Sequence, residues 1–165
     1  MNLITISALE AFPQQLEAHY AVIPSAFKNW APPSWEGVPS EPLTAIEQIC
    51  HVRDIEIEGY GVRFRRTLSE SNPTLASIDT EALAKERAYG TSDADAALAD
   101  FREARLKTVA LLKDLGPEQF DRTAMFEGYG AVSMRSLVHY LCSHDQQHLA
   151  GLQWLLGKIE ASHVR

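Results

Sequence analysis

The chain is poor in what would tie it to a nucleic acid, a membrane or an oxidising compartment. Only two of its 165 residues are cysteine, Cys50 and Cys142. Two thiols make no disulfide framework, so a reducing cytoplasm is the expected location. Lys and Arg total 15 against 22 Asp and Glu, a net charge of −7, and no basic run occurs. The electrostatic footprint of a DNA- or RNA-binding domain is therefore missing. No apolar run approaches the roughly 20 residues that span a bilayer. The opening Met1-Asn2-Leu3-Ile4-Thr5-Ile6-Ser7 lacks the basic n-region and the apolar h-region of a signal peptide, so none is expected. Repeats, low-complexity tracts and linkers are absent, which makes residues 1–165 one expected domain. An apolar fraction of 45% with 22% charged residues suits a globular core.

What the sequence does hold is concentrated in residues 137–155. On a helical wheel, His144 and His148 lie roughly 40° apart, inside a stripe shared with Leu137, Leu141 and Leu155. Two imidazoles pointing into a core lose hydration and need partners. A pair at i, i+4 on one face can chelate a single metal ion.

The same periodicity gives three further helices. The first spans about 7–29, with Leu9, Phe12, Leu16, His19, Tyr20, Ile23 and Phe27 on its stripe; Pro13 belongs in its first turn and Pro24 near its end. Residues 30–42 form a loop with four prolines and two tryptophans, Trp30 and Trp35, expected to plug one end of the core. Thr44 and Glu47 make a capping box for a second helix, reaching about Ser69. Ile46, Ile49, Ile57, Tyr60 and Phe64 mark one of its sides; His51, Ile55, Gly59 and Val62 mark another. Residues 70–91 are a long crossover holding a short helix over 78–88. A third helix, capped at Ser92 or Asp93, runs to about Leu115 with Ala97, Leu98, Phe101, Leu106, Val109 and Leu112 inward. Gly116-Pro117 stops it and starts a single turn; residues 126–132 read as a small hairpin. Ser133 caps the fourth helix, stapled by Val132 and Leu137, which ends near Gly157. The fold class is all-α, a four-helix bundle whose long connection between helices two and three sets an up-down-down-up order. In that frame His51 converges with His144 and His148, and three imidazoles with an open position are the catalytic zinc pattern.

These features resemble the DinB-like (YfiT-like) four-helix bundles. The resemblance covers nearly the whole chain. It rests on Cys50-His51-Val52-Arg53-Asp54 after a Pro/Trp-rich loop, on Leu115-Gly116-Pro117-Glu118-Gln119-Phe120, and on His144-Asp145-Gln146-Gln147-His148 after a helix cap. It implies an up-down-down-up homodimer that binds a divalent ion, zinc or nickel, through His51, His144 and His148. It also implies a small-molecule substrate, such as the low-molecular-weight thiol of some relatives, although the chain carries no recognisable thiol-binding signature.

Two function classes follow. One is a metal-dependent enzyme activating a thiol or water, as a thiol S-transferase or a hydrolase does. The other is a non-catalytic, stress-related binding or structural bundle. Three imidazoles accept zinc, nickel, copper or iron, so the physiological ion is open. Asp54, Glu58 and Asp145 are candidate acceptors for a ligating ring's free N–H, and Tyr140 and Gln147 are candidates for a substrate mouth. His139 points roughly 140° away from His144. His19 belongs to a core edge and His163 to the tail. Cys50 and Cys142 fall about 100–200° off their neighbouring histidines and are expected as small core residues.

Overall fold

In a computed structural model, which describes residues 3–163, four long helical bodies carry most of the chain. Helix α1 (Leu3–Ala21) buries Ile6, Leu9, Phe12, Leu16 and Tyr20 at helical spacing. It starts earlier than the sequence pattern places it, so Pro13 lies in mid-helix. Proline has no N–H, and the Leu9 carbonyl four residues back loses its partner. Arg105, from a different helix, donates to that carbonyl at 3.1 Å. Pro24 then closes the segment, and a 3₁₀ turn (Ser25–Phe27) replaces the expected helix end. Trp30 sits edge-on to Phe27, and Trp35 stacks on Trp154; both tryptophans pack half-buried on the core.

Helix α2 (Ala45–Asp54) opens with the Thr44–Glu47 capping box. It runs into a π-helical turn (Ile55–Tyr60) and continues as α3 (Gly61–Ser69). The wider turn breaks the 100° periodicity of a helical wheel. Ile57, expected inside, is 41% exposed, while Glu56 is buried at 1%. Gly61 ends the turn by donating to the Glu56 carbonyl, and a Cβ at that position would stand 2.9 Å from that oxygen.

The crossover holds strand β1 (Thr74–Leu75), helix α4 (Thr80–Glu86) and a 3₁₀ turn (Tyr89–Thr91). Helix α5 (Ala94–Asp114) is capped by the Asp93 carboxylate, which accepts from the Asp95 and Ala96 amides. The sequence stripe holds at Ala97, Leu98, Phe101, Val109 and Leu112 and misses at one position: Leu106 is 64% exposed and Arg105 only 1%. After the single turn α6 (Pro117–Phe120), strands β2 (Thr123–Phe126) and β3 (Gly130–Ser133) form the expected hairpin. Strand β1 adds to it in parallel, making a sheet of order β1-β2-β3 that the sequence pattern does not reveal. Helix α7 (Met134–Ser162) runs past Gly157 to Ser162, and His163 caps it against the Phe27 ring.

The core is two apolar clusters. One takes α1 from Phe12 onward, α2 up to Val52, α5 up to Phe101 and α7 from Leu149 onward. The other takes α1 up to Leu9, the chain from Ile55, α5 from Val109 and α7 up to Leu141. Between them lies a polar layer. Arg105 donates to both oxygens of Asp145 (2.6 and 3.0 Å), to Glu56 Oε2 (2.9 Å) and to the Leu9 carbonyl. All three charged side chains are 1% exposed. Removing one member of such a buried group strands the others, at a cost of about 3–5 kcal/mol. Arg105→Met should lower the unfolding free energy by that amount in urea denaturation. A loss under about 1 kcal/mol would mean the layer does not hold the helices together.

Candidate metal centre

The bundle interior brings together the three histidines that the wheel singled out. His51 lies in the last turn of α2; His144 and His148 lie one turn apart in α7. His51 and His148 are 2% and 0% exposed. His144 shows an edge to the surface, but its Nδ1 is enclosed and has no partner. The Nε2 atom of His144 is 3.0 Å from that of His51 and 3.2 Å from that of His148.

A fourth group completes the cluster. Glu41, in the proline-rich loop, places Oε2 3.3 Å from His148 Nε2 and Oε1 3.7 Å from His51 Nε2. All four ligand-capable atoms lie within 4.8 Å of one another. The expectation of three imidazoles with no fourth protein donor is therefore corrected. No helical periodicity marks a loop residue; the only signal was its place a few residues before the Thr44 cap.

Gln48 fixes the direction in which His148 points. Its Oε1 accepts from His148 Nδ1 at 3.1 Å, while its Nε2 donates to the Leu43 carbonyl at 3.3 Å. With the amide so oriented, His148 carries its proton on Nδ1 and turns an Nε2 lone pair toward the cluster. Gly151 makes room for this contact, since a Cβ there would stand 2.7 Å from Gln48 Oε1. Gln48 precedes His51 by one turn, a spacing the sequence analysis passed over.

The other sequence candidates are committed elsewhere. Asp54 accepts from Arg53, Arg87 and the Tyr89 hydroxyl. Glu58 binds both terminal nitrogens of Arg87. Asp145 binds Arg105, so the expectation that any of the three orients a ligating ring fails. Tyr140 packs on Tyr129, and exposed Gln147 donates to Ser143. Cys50 is buried with its thiol toward the Tyr89 carbonyl, and Cys142 is half-buried in the second apolar cluster. His139 meets Thr5, and His19 bridges the Gln15 carbonyl and Gln153.

Electrostatics favour the neutral form of His51 and His144. Burial first, and then the charge of His148, push His51 down to about 4. Burial with both neighbouring rings holds His144 well below the ordinary range. The His148 contact outweighs burial at Glu41 and keeps it far below the usual carboxylate range. A divalent cation among three imidazole nitrogens and a carboxylate would be attracted by all four groups. Three imidazole nitrogens and one carboxylate oxygen are a donor set suited to zinc or nickel. Metal–nitrogen bonds of about 2 Å place such nitrogens roughly 3.3 Å apart in a tetrahedral shell, close to the spacing here.

A helical bundle with an interior His/Glu cluster is thus the class that fold and site define. The family model of the DinB superfamily matches residues 8–152, and the chain belongs to that superfamily. Among solved structures it is similar to YfiT from Bacillus subtilis, described as a probable metal-dependent hydrolase with an unusual four-helix bundle topology. The TM-score is 0.83 at 22% identity, covering 94% of this chain and 86% of that one. No curated protein matches significantly. Among the described residues no helix is long and apolar enough to cross a membrane.

In the metal-free protein His51 is neutral when folded and has its ordinary pKa when unfolded. The stability tied to it is complete above about pH 6.5 and is lost as pH falls toward about 4. Asp145, pushed up to about 7 by burial against the pull of Arg105, contributes with the opposite sign. A site-specific readout separates the two. Proton-detected NMR of the metal-free protein should show His51 untitrated at pH 5.5, and a midpoint near 6.5 would contradict its buried, neutral state.

Proposed function

We propose that the chain is a divalent-metal-dependent enzyme whose ion is held by His51, His144 and His148, with Glu41 on a fourth side. The observation that carries this reading is the convergence of three Nε2 atoms and a carboxylate oxygen, all within 4.8 Å of one another. A divalent ion bound there supplies Lewis acidity, which lowers the pKa of a bound water or thiol and polarises a substrate carbonyl. The chain's own residues do the rest. Gln48 holds His148 in the ligating tautomer, burial favours the neutral form of His51 and His144, and Glu41 balances charge. The reaction is hydrolysis or thiol transfer on a small molecule. The likeness to YfiT supports the hydrolytic branch, as that protein is described as a probable metal-dependent hydrolase.

The up-down-down-up order belongs to the same reading. Its support is the membership of the first apolar cluster, which joins the C-terminal halves of α1 and α7 to the N-terminal halves of α2 and α5. A homodimer also belongs to it, with Leu3 on α1 (81% exposed) and Leu106 on α5 (64% exposed) as apolar surface for a partner. A second reading, a non-catalytic metal-stabilised bundle, is favoured by Glu41 itself, because structural zinc sites are usually closed by four protein ligands.

Light scattering combined with elemental analysis of untagged protein tests these points together. One zinc or nickel per chain in a two-chain particle is the expected outcome. His148→Ala should lose stoichiometric metal; undiminished metal in that variant would remove the site.

A further inference from the structure

The four donors of the cluster are not held alike. The imidazoles are fixed on two helices, one of them by Gln48, and the ligating rings of His51 and His148 are buried. Glu41 comes from a loop, its side chain is 39% exposed, and its enclosed Oε2 has no hydrogen-bond donor. Its own backbone carbonyl accepts from the Leu43 amide and the Ser40 hydroxyl. A cation among the imidazoles would hold this carboxylate in place.

Glu41 also lines a cavity of about 660 Å³. Pro42 and Leu43 wall it on the loop side and Ala84 and Ala88 on the side of α4 and the turn that follows, while Glu47, Glu81 and Lys85 also line it. Its volume is that of a small-molecule site, which ordinarily has apolar walls and few polar groups. None of the three histidines lines it. Glu41 is the residue common to the cavity and the cluster.

Resting on the metal-centre reading above, we propose that Glu41 is an exchangeable fourth ligand, and that the cavity beside it receives the body of the molecule that displaces it. The displacing group takes the place of an anion, so an anionic donor, thiolate or carboxylate, leaves the charge of the site unchanged. The walls select an apolar body attached to that donor. Exchange is ligand substitution alone: the Glu41 carboxylate leaves with its electron pair, and the incoming anion supplies its own. The alternating roles of Glu41 reconcile a closed site at rest with an open position during turnover.

Cobalt(II)-substituted full-length protein tests this, with azide and 4-phenylbutyrate as probes in visible-spectrum titrations. Glu41→Ala should change the cobalt spectrum before any probe is added and bind azide at least tenfold more tightly than the unaltered protein; Glu41→Gln should behave alike if the alanine variant is poorly folded. Ala84→Phe should weaken 4-phenylbutyrate tenfold or more and leave azide unchanged. Equal azide affinity with and without Glu41 would overturn the exchangeable ligand, and equal weakening of both probes by Ala84→Phe would overturn the cavity. Failure of the unaltered protein to take up cobalt would overturn the metal centre itself, and the exchange with it.

Discussion

The guanidinium of Arg105 is the interaction on which the bundle is built. From α5 it reaches the Leu9 carbonyl of α1, Glu56 in the π-turn, and Asp145 of α7. One side chain thus joins all four helical bodies in the plane where the two apolar clusters stop. Two of these contacts depend on a local departure from regular structure. Pro13 frees the Leu9 carbonyl. The π-turn turns Glu56 inward and Ile57 out. Asp145 supplies both oxygens to the fork, a bidentate geometry that lysine could not match. Burial opposes a cation here, yet the two carboxylates hold Arg105 above its ordinary pKa. A buried ionic group is a weak source of net stability but a strong source of register, because helices slid by one turn would leave these charges unpaired.

That register places the candidate metal centre. Asp145 is the immediate neighbour of His144, so the bond to Arg105 fixes α7 in rotation and height beside the ligating rings. His51 sits just before the π-turn that brings Glu56 to the same guanidinium. The cluster of imidazoles and the ionic layer are therefore two parts of one polar band between apolar halves. Gln48 and Gly151 complete it across α2 and α7. Glu41 alone comes from a part of the site that is not helical.

Much of this was legible in the sequence, and the limits are physical. His51, His144 and His148 could be found because each lies on a regular α-helical stretch, where a 3.6 period reports facing directly. The caps at Thr44, Asp93 and Ser133 followed from side chains that satisfy orphan amides, and all three are observed. Past Asp54 the wheel held for Ile55, Gly59, Tyr60 and Phe64 but missed the exposed Ile57 and the buried Glu56, because a π-turn carries an extra residue that no period of 3.6 contains. Arg105 was passed over for Leu106 because a buried arginine needs partners that only the fold supplies. The inward aim of Asp145 was hidden in the same way: adjacency to a histidine suggested a ring acceptor, but its oxygens face a different helix. Glu41 and strand β1 arise from loop geometry, for which the sequence carries no periodic signal.

The central claim is that three imidazoles of this chain share one divalent ion. X-ray absorption at the metal edge of zinc- or nickel-loaded protein measures the ligands directly. The account predicts a shell of nitrogen and oxygen only, at about 2 Å, with outer-shell scattering from three imidazoles that falls to two in a His51→Ala sample still holding metal. A shell containing sulfur, or one with fewer than three imidazoles in the unaltered protein, would contradict it.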